Sequence, residues 1–425
     1  MKTETTFDVL VVGAGLAGLS AAMTVAEAGF SVAVLEKAHE IGGTTLKSEG
    51  AFNAIDARRQ IRLRVEDSPE KHWMQAWENG RQKGRKELLK IMAYEAGETL
   101  RWLEDLGLLF KENVSQVPGS GFPRTHLPAS GNGEAYIHVL SDCLSKFDVP
   151  VLTDTPVTEI VRDRFGRVSG VVAQSKSVEG QSSSTKFTAR LGVVLASGGF
   201  ARNPDLLCLH GPGYREAKVL SAEGATGEVM LAAADIGAGL IGMPFFALGF
   251  KTTAYCLPID PSKFILLNNE AKRFIREDVT EDTLLEAVFR QKGAEAWLVC
   301  HDDEQNDESV PPDFREKLIS ETKAYSTRSL INEADPLGKP SVLIKPIGKP
   351  YCLSKLYPTI MTSLGGLEID ASARVISRSG KPIRGLVAAG DVTGGIHGEK
   401  PLYGDTLAAA ASFGRIAART LIREV

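Results

Sequence analysis

The stretch FDVLVVGAGLAGLSAAMTVAEAGFSVAVLEK, Phe7 to Lys37, reads as strand, tight turn, helix and second strand. Val9 to Val12 is an unbroken apolar run, as a strand covered on both faces of a parallel sheet requires. Gly13, Gly15 and Gly18 form G-x-G-x-x-G. The first glycine permits the turn, the second lets a pyrophosphate approach the backbone, and the third lets the helix pack on the strand. The helix start then offers free N–H groups and the positive end of its dipole to phosphate. Glu36 follows the second strand, 23 residues after Gly13, where a carboxylate accepts from a ribose hydroxyl. Strand, helix, strand and acid in this order predict an α/β dinucleotide-binding domain of Rossmann type.

The neighbouring text points to FAD rather than NAD. EKAHEIGGTTLKSEGAFNA places Gly42 and Gly43 just beyond the ribose acid, a second glycine-lined contact suited to a longer flavin dinucleotide. GLVAAGDVTGG repeats the grammar of an apolar strand, Gly385 to Ala389, running into Gly390 and Asp391, where an acid can hold a ribityl hydroxyl. GVVLASGGFARN, Gly192 to Asn203, reads as a third buried strand ending in a glycine pair.

The chain has 425 residues, 43% of them hydrophobic, enough for a large core and for two domains or one interrupted domain. A net charge of −4 gives no footprint for nucleic acid or an anionic membrane surface. The five cysteines are scattered with no C-x-x-C pair, so neither a disulfide framework nor a metal site is signalled. The longest apolar run near the middle, Ala238 to Phe250, has 13 residues, short of the roughly 20 a membrane span needs. A strand begins within seven residues of Met1, which leaves no room for a signal peptide, so a cytoplasmic protein is expected.

Several long motifs carry a resemblance over nearly the whole chain: GGTTLKSEGAFNA, DSPEKHWMQAW followed by LRWLEDLG, ILLNNEAKRFIRE, SLGGLEIDASARVISRSGKPIRGLVAAGDVTGGIHG and SFGRIAA. The chain resembles the FAD-dependent fumarate reductase and succinate dehydrogenase flavoprotein superfamily. The likeness is greatest to its soluble branch, which includes urocanate reductases, tricarballylate dehydrogenases and 3-ketosteroid dehydrogenases. The resemblance implies a glutathione-reductase-like FAD domain, residues 1–244 and 351–425, interrupted by a smaller α+β capping domain, residues 245–350. To the contacts read above it adds Lys37, Thr44, Thr45, Gly50, Val157, Ala196, Ser197, Gly198, His397, Asp405, Thr406 and Leu407. Asp405 and Thr406 would open a helix whose N-terminal amides face the flavin, stabilising the negative charge of its reduced form. The flavin-linking histidine of the membrane-bound relatives would fall near Thr45, so FAD is expected without a covalent link.

Within the FAD domain, Thr158–Val172 and Lys186–Leu191 flank the polar QSKSVEGQSSSTK, read as a solvated hairpin loop. Glu87 to Leu106 has apolar residues at helical spacing and stops at Gly107. The charge-rich CHDDEQNDESVPPDFREK reads as an exposed loop of the cap, and the cap is short before Tyr351 relative to the family pattern.

The residues that would read the substrate depart from the fumarate reductases. The resemblance aligns their proton-donating arginine with Glu281, their histidine with Met361 in PTIMTSLGG, and their carboxylate-clamping arginine with Pro401 in HGEKPLYGDTL. A desolvated dicarboxylate needs fork-shaped cationic partners. Their loss points to an uncharged substrate surface. The candidates for acid–base work are Tyr351, Tyr403 and Glu281, with Arg124 and His126 on a loop the family brings to the flavin. Three functions stay open: an oxidoreductase acting on a C–C bond α,β to a carbonyl, a flavin oxidase or hydroxylase, and a non-catalytic FAD-binding protein. No C-x-x-C-H haem motif is present, so the small-molecule substrate would exchange electrons with an external donor or acceptor.

Overall fold

The computed structural model describes residues 5–117, 120–176, 182–215, 217–252, 256–257, 265–268, 274–277, 279–301 and 351–424. Eight of the described strands form the main sheet: β1 (Thr5–Val12), β2 (Val32–Leu35), β3 (Val151–Leu152), β4 (Val157–Arg162), β5 (Val168–Lys176), β6 (Ser182–Leu195), β7 (Arg374–Ile376) and β8 (Pro382–Ala388). Their order is β7-β8-β6-β1-β2-β3, with β5 paired to β6 and β4 to β5. The neighbours from β8 through β6, β1 and β2 to β3 run parallel. Val9 to Val12 and Val193 to Leu195 are buried, as expected for strands covered on both faces.

Register positions the site. Val12 stands opposite Leu35 on one side and Leu195 on the other, and Leu195 opposite Ala388. Four parallel strands therefore end level, and the residues that follow them (Gly13, Glu36, Ala196 and Ala389) leave the sheet together. From β1 the chain goes to β2 on one side, while β6 lies on the other. This reversal is the crevice where open parallel sheets bind ligands.

Helices α1 (Leu16–Glu27) and α3 (Asp405–Arg423) pack on the sheet and on each other, and α2 (Lys86–Asp105) packs against α3. The α1–α3 approach depends on Gly414, whose added Cβ would lie 2.3 Å from the Ala17 carbonyl. Ser412 donates to Thr99 across the buried α2–α3 seam. Helix α2 matches the periodic stretch within a residue at each end, and Gly107 follows it with φ +107°.

The polar hairpin differs from its expected form. A turn at Asp163–Gly166 splits the first segment into β4 and β5, and the β5–β6 ladder continues through the polar stretch as far as Lys176 opposite Ser182. Backbone pairing there is satisfied without apolar side chains, which periodicity could not reveal.

The described chain divides into two compact units: Met1–Pro212 with Leu220–Ala247 and Thr362–Val425, and Gly213–Val219 with Leu248–Met361. Strands Phe246–Thr252 and Tyr351–Ser363 each run through a boundary between these units. The second unit has a sheet that includes Ile265–Leu267, Ala296–His301 and Tyr351–Ser363, with helix Glu281–Phe289 against it. Its core joins Phe250, Leu266, Leu284, Leu285, Val288, Leu298 and Leu356, an α+β arrangement. Most of the charge-rich segment and the expected shortening of the cap fall at 302–350, outside the described residues. Among the described residues, no helix is long and apolar enough to cross a membrane.

Candidate functional site

The glycine turn is held from three directions. Gly13 N–H donates to the Leu35 carbonyl at 2.8 Å and Ala196 N–H to the Val12 carbonyl at 2.8 Å, so the turn is tied to β2 and β6. Gly13 has φ +106°, and a Cβ there would lie 2.3 Å from the Ala196 oxygen; both facts exclude a side chain. A Cβ on Gly18 would come within 1.9 Å of the Gly13 oxygen, so this glycine serves helix-on-strand packing. Gly15 is different. Its φ is −80°, and the nearest atom to an added Cβ is 3.7 Å away, so no protein atom requires glycine there.

The Glu36 carboxylate accepts from Ala14 N–H at 2.7 Å and from Ala38 N–H at 2.8 Å. The Gly42–Gly43 segment joins the same turn, because Gly42 N–H donates to the Ala14 carbonyl at 2.9 Å and Leu16 N–H donates to Thr45 Oγ1 at 3.2 Å. At the end of β8, Ala389 N–H donates to the Leu195 carbonyl at 3.0 Å, and a Cβ on Gly390 would meet the Ala17 Cβ at 2.9 Å. Gly13, Gly15, Glu36, Gly42, Thr45, Ala196, Gly390 and Asp391, scattered over the sequence, are thus gathered at one sheet end.

A second constellation surrounds the start of α3. Asp405 is its first residue and fully buried; His72 Nε2 lies 2.8 Å from Asp405 Oδ1, and Asn53 Nδ2 donates to that oxygen at 2.8 Å. Asn53 also donates to the Tyr403 carbonyl at 2.8 Å and accepts from Thr125 Oγ1 at 2.6 Å. Burial alone would raise the Asp405 carboxyl, but the approach of His72 and the hydrogen bonds from His72 and Asn53 outweigh it and hold the group below the usual carboxylate value. Three buried polar atoms here have no protein partner: Asp405 Oδ2, His72 Nδ1 and His397 Nδ1. Burial lowers the His397 pKa to about 4, with Asp405 opposing, so its imidazole is neutral at pH 7.

Between these groups Thr362 Oγ1 donates to Asp391 Oδ2 at 2.6 Å, and Ser363 Oγ accepts from Phe200 N–H at 2.9 Å. Burial raises the Asp391 carboxyl, and the Thr362 hydrogen bond opposes that rise. Ser363, Gly390, Asp391, His397 and Thr406 line one small cavity. Thr362 and Ser363 therefore brace the loops of the first unit, while Met361 belongs to the second.

Arg124 and His126 are both buried. Arg124 and Asp67 have fully buried side chains joined by two bonds of 2.8 Å. His126 is buried, its Nε2 3.2 Å from the Ala54 carbonyl, and burial lowers its pKa to about 4. Tyr403 Oη donates to Glu49 Oε2 at 2.6 Å.

A family description of an FAD binding domain matches residues 8–407 of this chain. The chain belongs to the FAD-binding domain family. FAD is the cofactor of this family, and its likeness to the fumarate reductase and succinate dehydrogenase flavoprotein superfamily holds. The NADH:acrylate oxidoreductase of Vibrio harveyi is 28% identical over 97% of this chain, which spans 50% of that protein. The chain thus has about half the length of that relative. The open conformation of a flavocytochrome c3 fumarate reductase superposes with a TM-score of 0.86 at 27% identity, over 99% of this chain and 78% of that one. A 3-ketosteroid-Δ4-(5α)-dehydrogenase from Rhodococcus jostii shares the fold, with a TM-score of 0.74 at 24% identity over 98% of this chain and 97% of that one.

The residues present fit FAD. Gly15 brings the backbone close at the N-terminus of α1 with no Cβ in the way, where the positive end of the helix dipole suits a pyrophosphate. Asp391 and His397, whose Nδ1 has no protein partner, line a small cavity beside the same sheet end and offer it polar groups.

Several of the other expected residues also have protein partners. Lys37 Nζ donates to Thr226 Oγ1 at 2.6 Å and to Glu228 Oε2 at 2.8 Å. Thr44 Oγ1 accepts from Ala222 N–H at 3.1 Å. Gly50 lies under Tyr136, whose hydroxyl donates to the Gly50 carbonyl at 2.7 Å. Val157 is buried at the start of β4, paired with Ala173, and Leu407 is buried in the first turn of α3. Gly43, Ser197 and Gly198 are half-buried, and a Cβ on Gly43 or Gly198 would have no protein atom within 4 Å. Glu281 begins helix Glu281–Phe289 behind its Thr280 cap, where the helix dipole favours an acid. The side chain of Tyr351 lies outside the described residues. The sequence reading passed over His72, Asn53, Asp67 and Glu49 as site residues. Each sits inside a quoted motif or next to a glycine, but its partner is supplied by distant chain.

Proposed function

We propose that this chain is an FAD-dependent oxidoreductase that moves a hydride between the flavin and a carbon of a C–C bond α,β to a carbonyl, on an uncharged substrate rather than fumarate. The observation that carries the reading is the charge state of the groups that could grip a carboxylate. The Arg124 guanidinium is compensated by Asp67 through Nε and Nη2, with Nη1 alone lacking a protein partner, while His126 and His397 have pKa values of about 4. With Met361 and Pro401 where the resemblance places a histidine and an arginine, a buried dicarboxylate would pay desolvation without a bidentate partner. Bound FAD supplies a two-electron hydride acceptor or donor. The chain's own residues orient it through the glycine turn, Glu36 and Asp391, and the N-terminus of α3 favours negative charge.

A second reading, reduction of an unsaturated carboxylate, is favoured by the similarity to the acrylate oxidoreductase and to the flavocytochrome fumarate reductase. Anaerobic stopped-flow separates the two. Photoreduced enzyme is mixed with fumarate, acrylate or cyclohex-2-enone and flavin reoxidation is followed. Reoxidation by the enone but not by fumarate is expected; rapid reoxidation by fumarate would overturn the proposal. Fast reoxidation by oxygen alone would favour an oxidase, and an inert flavin a binding protein.

A further inference from the structure

The reading above leaves the proton unassigned, because the neighbouring carbon must lose or gain a proton as the hydride moves. We infer that Tyr403 and Glu49 form the proton-handling pair, with Tyr403 touching the substrate carbon and Glu49 as the positioning residue that receives its proton. This inference rests on the reading of a reaction next to a carbonyl.

The two side chains come from positions 354 residues apart and meet at 2.6 Å, with Tyr403 Oη donating to Glu49 Oε2. Each precedes a glycine that the fold has fixed. Tyr403 stands before Gly404, where a Cβ would lie 2.6 Å from Asn53 Oδ1, and Glu49 stands before Gly50, whose carbonyl accepts from Tyr136. The Tyr403 carbonyl is itself held by Asn53 at 2.8 Å, so the backbone on which the phenol swings is rigid. Tyr403 also lies two residues before Asp405, at the helix start expected to face the flavin. Both side chains are half-buried, open enough to meet a substrate and to exchange protons with water. Burial raises the Glu49 carboxyl, against the Tyr403 hydrogen bond, which makes it a stronger base than an exposed glutamate.

In the oxidising direction the C–H bond at the carbon α to the carbonyl breaks. Its proton passes to Tyr403 Oη while the Oη–H proton passes to Glu49 Oε2. The electron pair left behind would form the C=C bond as the adjacent carbon gives up a hydride, for which bound FAD would be the two-electron acceptor. Glu49 then returns its proton to water. Reduction runs the same transfers backwards.

The pair could merely tie two loops together, a role Glu49→Gln would preserve through its amide oxygen. The test uses oxidised holoenzyme in D2O with cyclohexanone, following deuterium entry at the α carbon by NMR, which needs no flavin turnover. Wild type should catalyse exchange. Tyr403→Phe and Glu49→Gln should each lower it by about 10²–10⁴, with Glu49→Asp retaining part of the rate, while FAD content and photoreduction stay unchanged. Absent exchange in wild type, or exchange in either variant as fast as in wild type, overturns the pair. Failure of enones to reoxidise the reduced enzyme, with pair-dependent exchange intact, overturns the redox reading instead.

Discussion

Replacing Glu36 by alanine tests the link between the glycine turn and the cofactor. In the folded chain the carboxylate already accepts from Ala14 and Ala38 N–H at 2.7 and 2.8 Å, and Ala14 is fully buried. Glu36→Ala strands the Ala14 donor inside the turn. An unsatisfied buried donor costs about 1–3 kcal/mol, and a charge-assisted bond to the adenosine ribose contributes about 1.5–3 kcal/mol more when FAD is bound. The first term appears in the apoprotein, as a Tm lowered by roughly 2–12 °C at about 2–4 °C per kcal/mol. The second appears in FAD affinity, weakened by about tenfold or more since ~1.4 kcal/mol is tenfold. Glu36→Gln keeps one acceptor oxygen and should fall between. Differential scanning fluorimetry of the apoprotein and fluorescence titration with FAD measure the two terms separately. An unchanged Tm with weakened FAD would mean that the turn does not depend on the carboxylate. Unchanged FAD affinity would refute the ribose contact.

The two other glycines of the turn should part company. Gly15→Ala should leave apo stability nearly intact and weaken FAD, whereas Gly18→Ala, with its Cβ 1.9 Å from the Gly13 carbonyl, should destabilise the apoprotein itself; equal Tm losses would contradict this. Asp67→Asn should cost about 3–5 kcal/mol in urea unfolding by leaving Arg124 as an uncompensated buried charge, and Asp67→Leu with Arg124→Met should recover most of it. His126 and His397, with folded pKa values of about 4, supply stability that is present above their unfolded pKa near 6.5 and lost as pH falls through 4. Each contributes roughly 3 kcal/mol at ~1.36 kcal/mol per unit, so the urea midpoint should drop between pH 6.5 and 4, and a flat profile would contradict their burial as neutral rings. FAD should leave with the supernatant on acid precipitation; a yellow pellet would show a covalent link.

The local grammar of the chain was enough to specify the cofactor domain. Residues Val9–Val12, the three glycines and Glu36 lie within 28 positions, and each acts through its own φ/ψ, its apolar run or its place at a strand end, so their spacing encodes the strand–turn–helix directly. The resemblance carried by the longer motifs extended this to the interrupted architecture. The side chains that give the site its chemistry were not legible in the same way. His72 with Asp405, Arg124 with Asp67 and Glu49 with Tyr403 are pairs separated by 333, 57 and 354 residues. Their protonation and charge are set by burial and by a partner that only the level register of β1, β2, β6 and β8 and the packing of α3 bring near. Arg124 illustrates the difference. In sequence it is a loop cation; in the folded chain, desolvation would leave its charge too costly without Asp67, and the ion pair compensates it. The motifs along the chain determined the FAD-binding family, because the glycine turn acts through the backbone. Tertiary structure decided which groups around it are charged and which are held neutral, because electrostatics in a low-dielectric interior depends on distance in space and not along the chain.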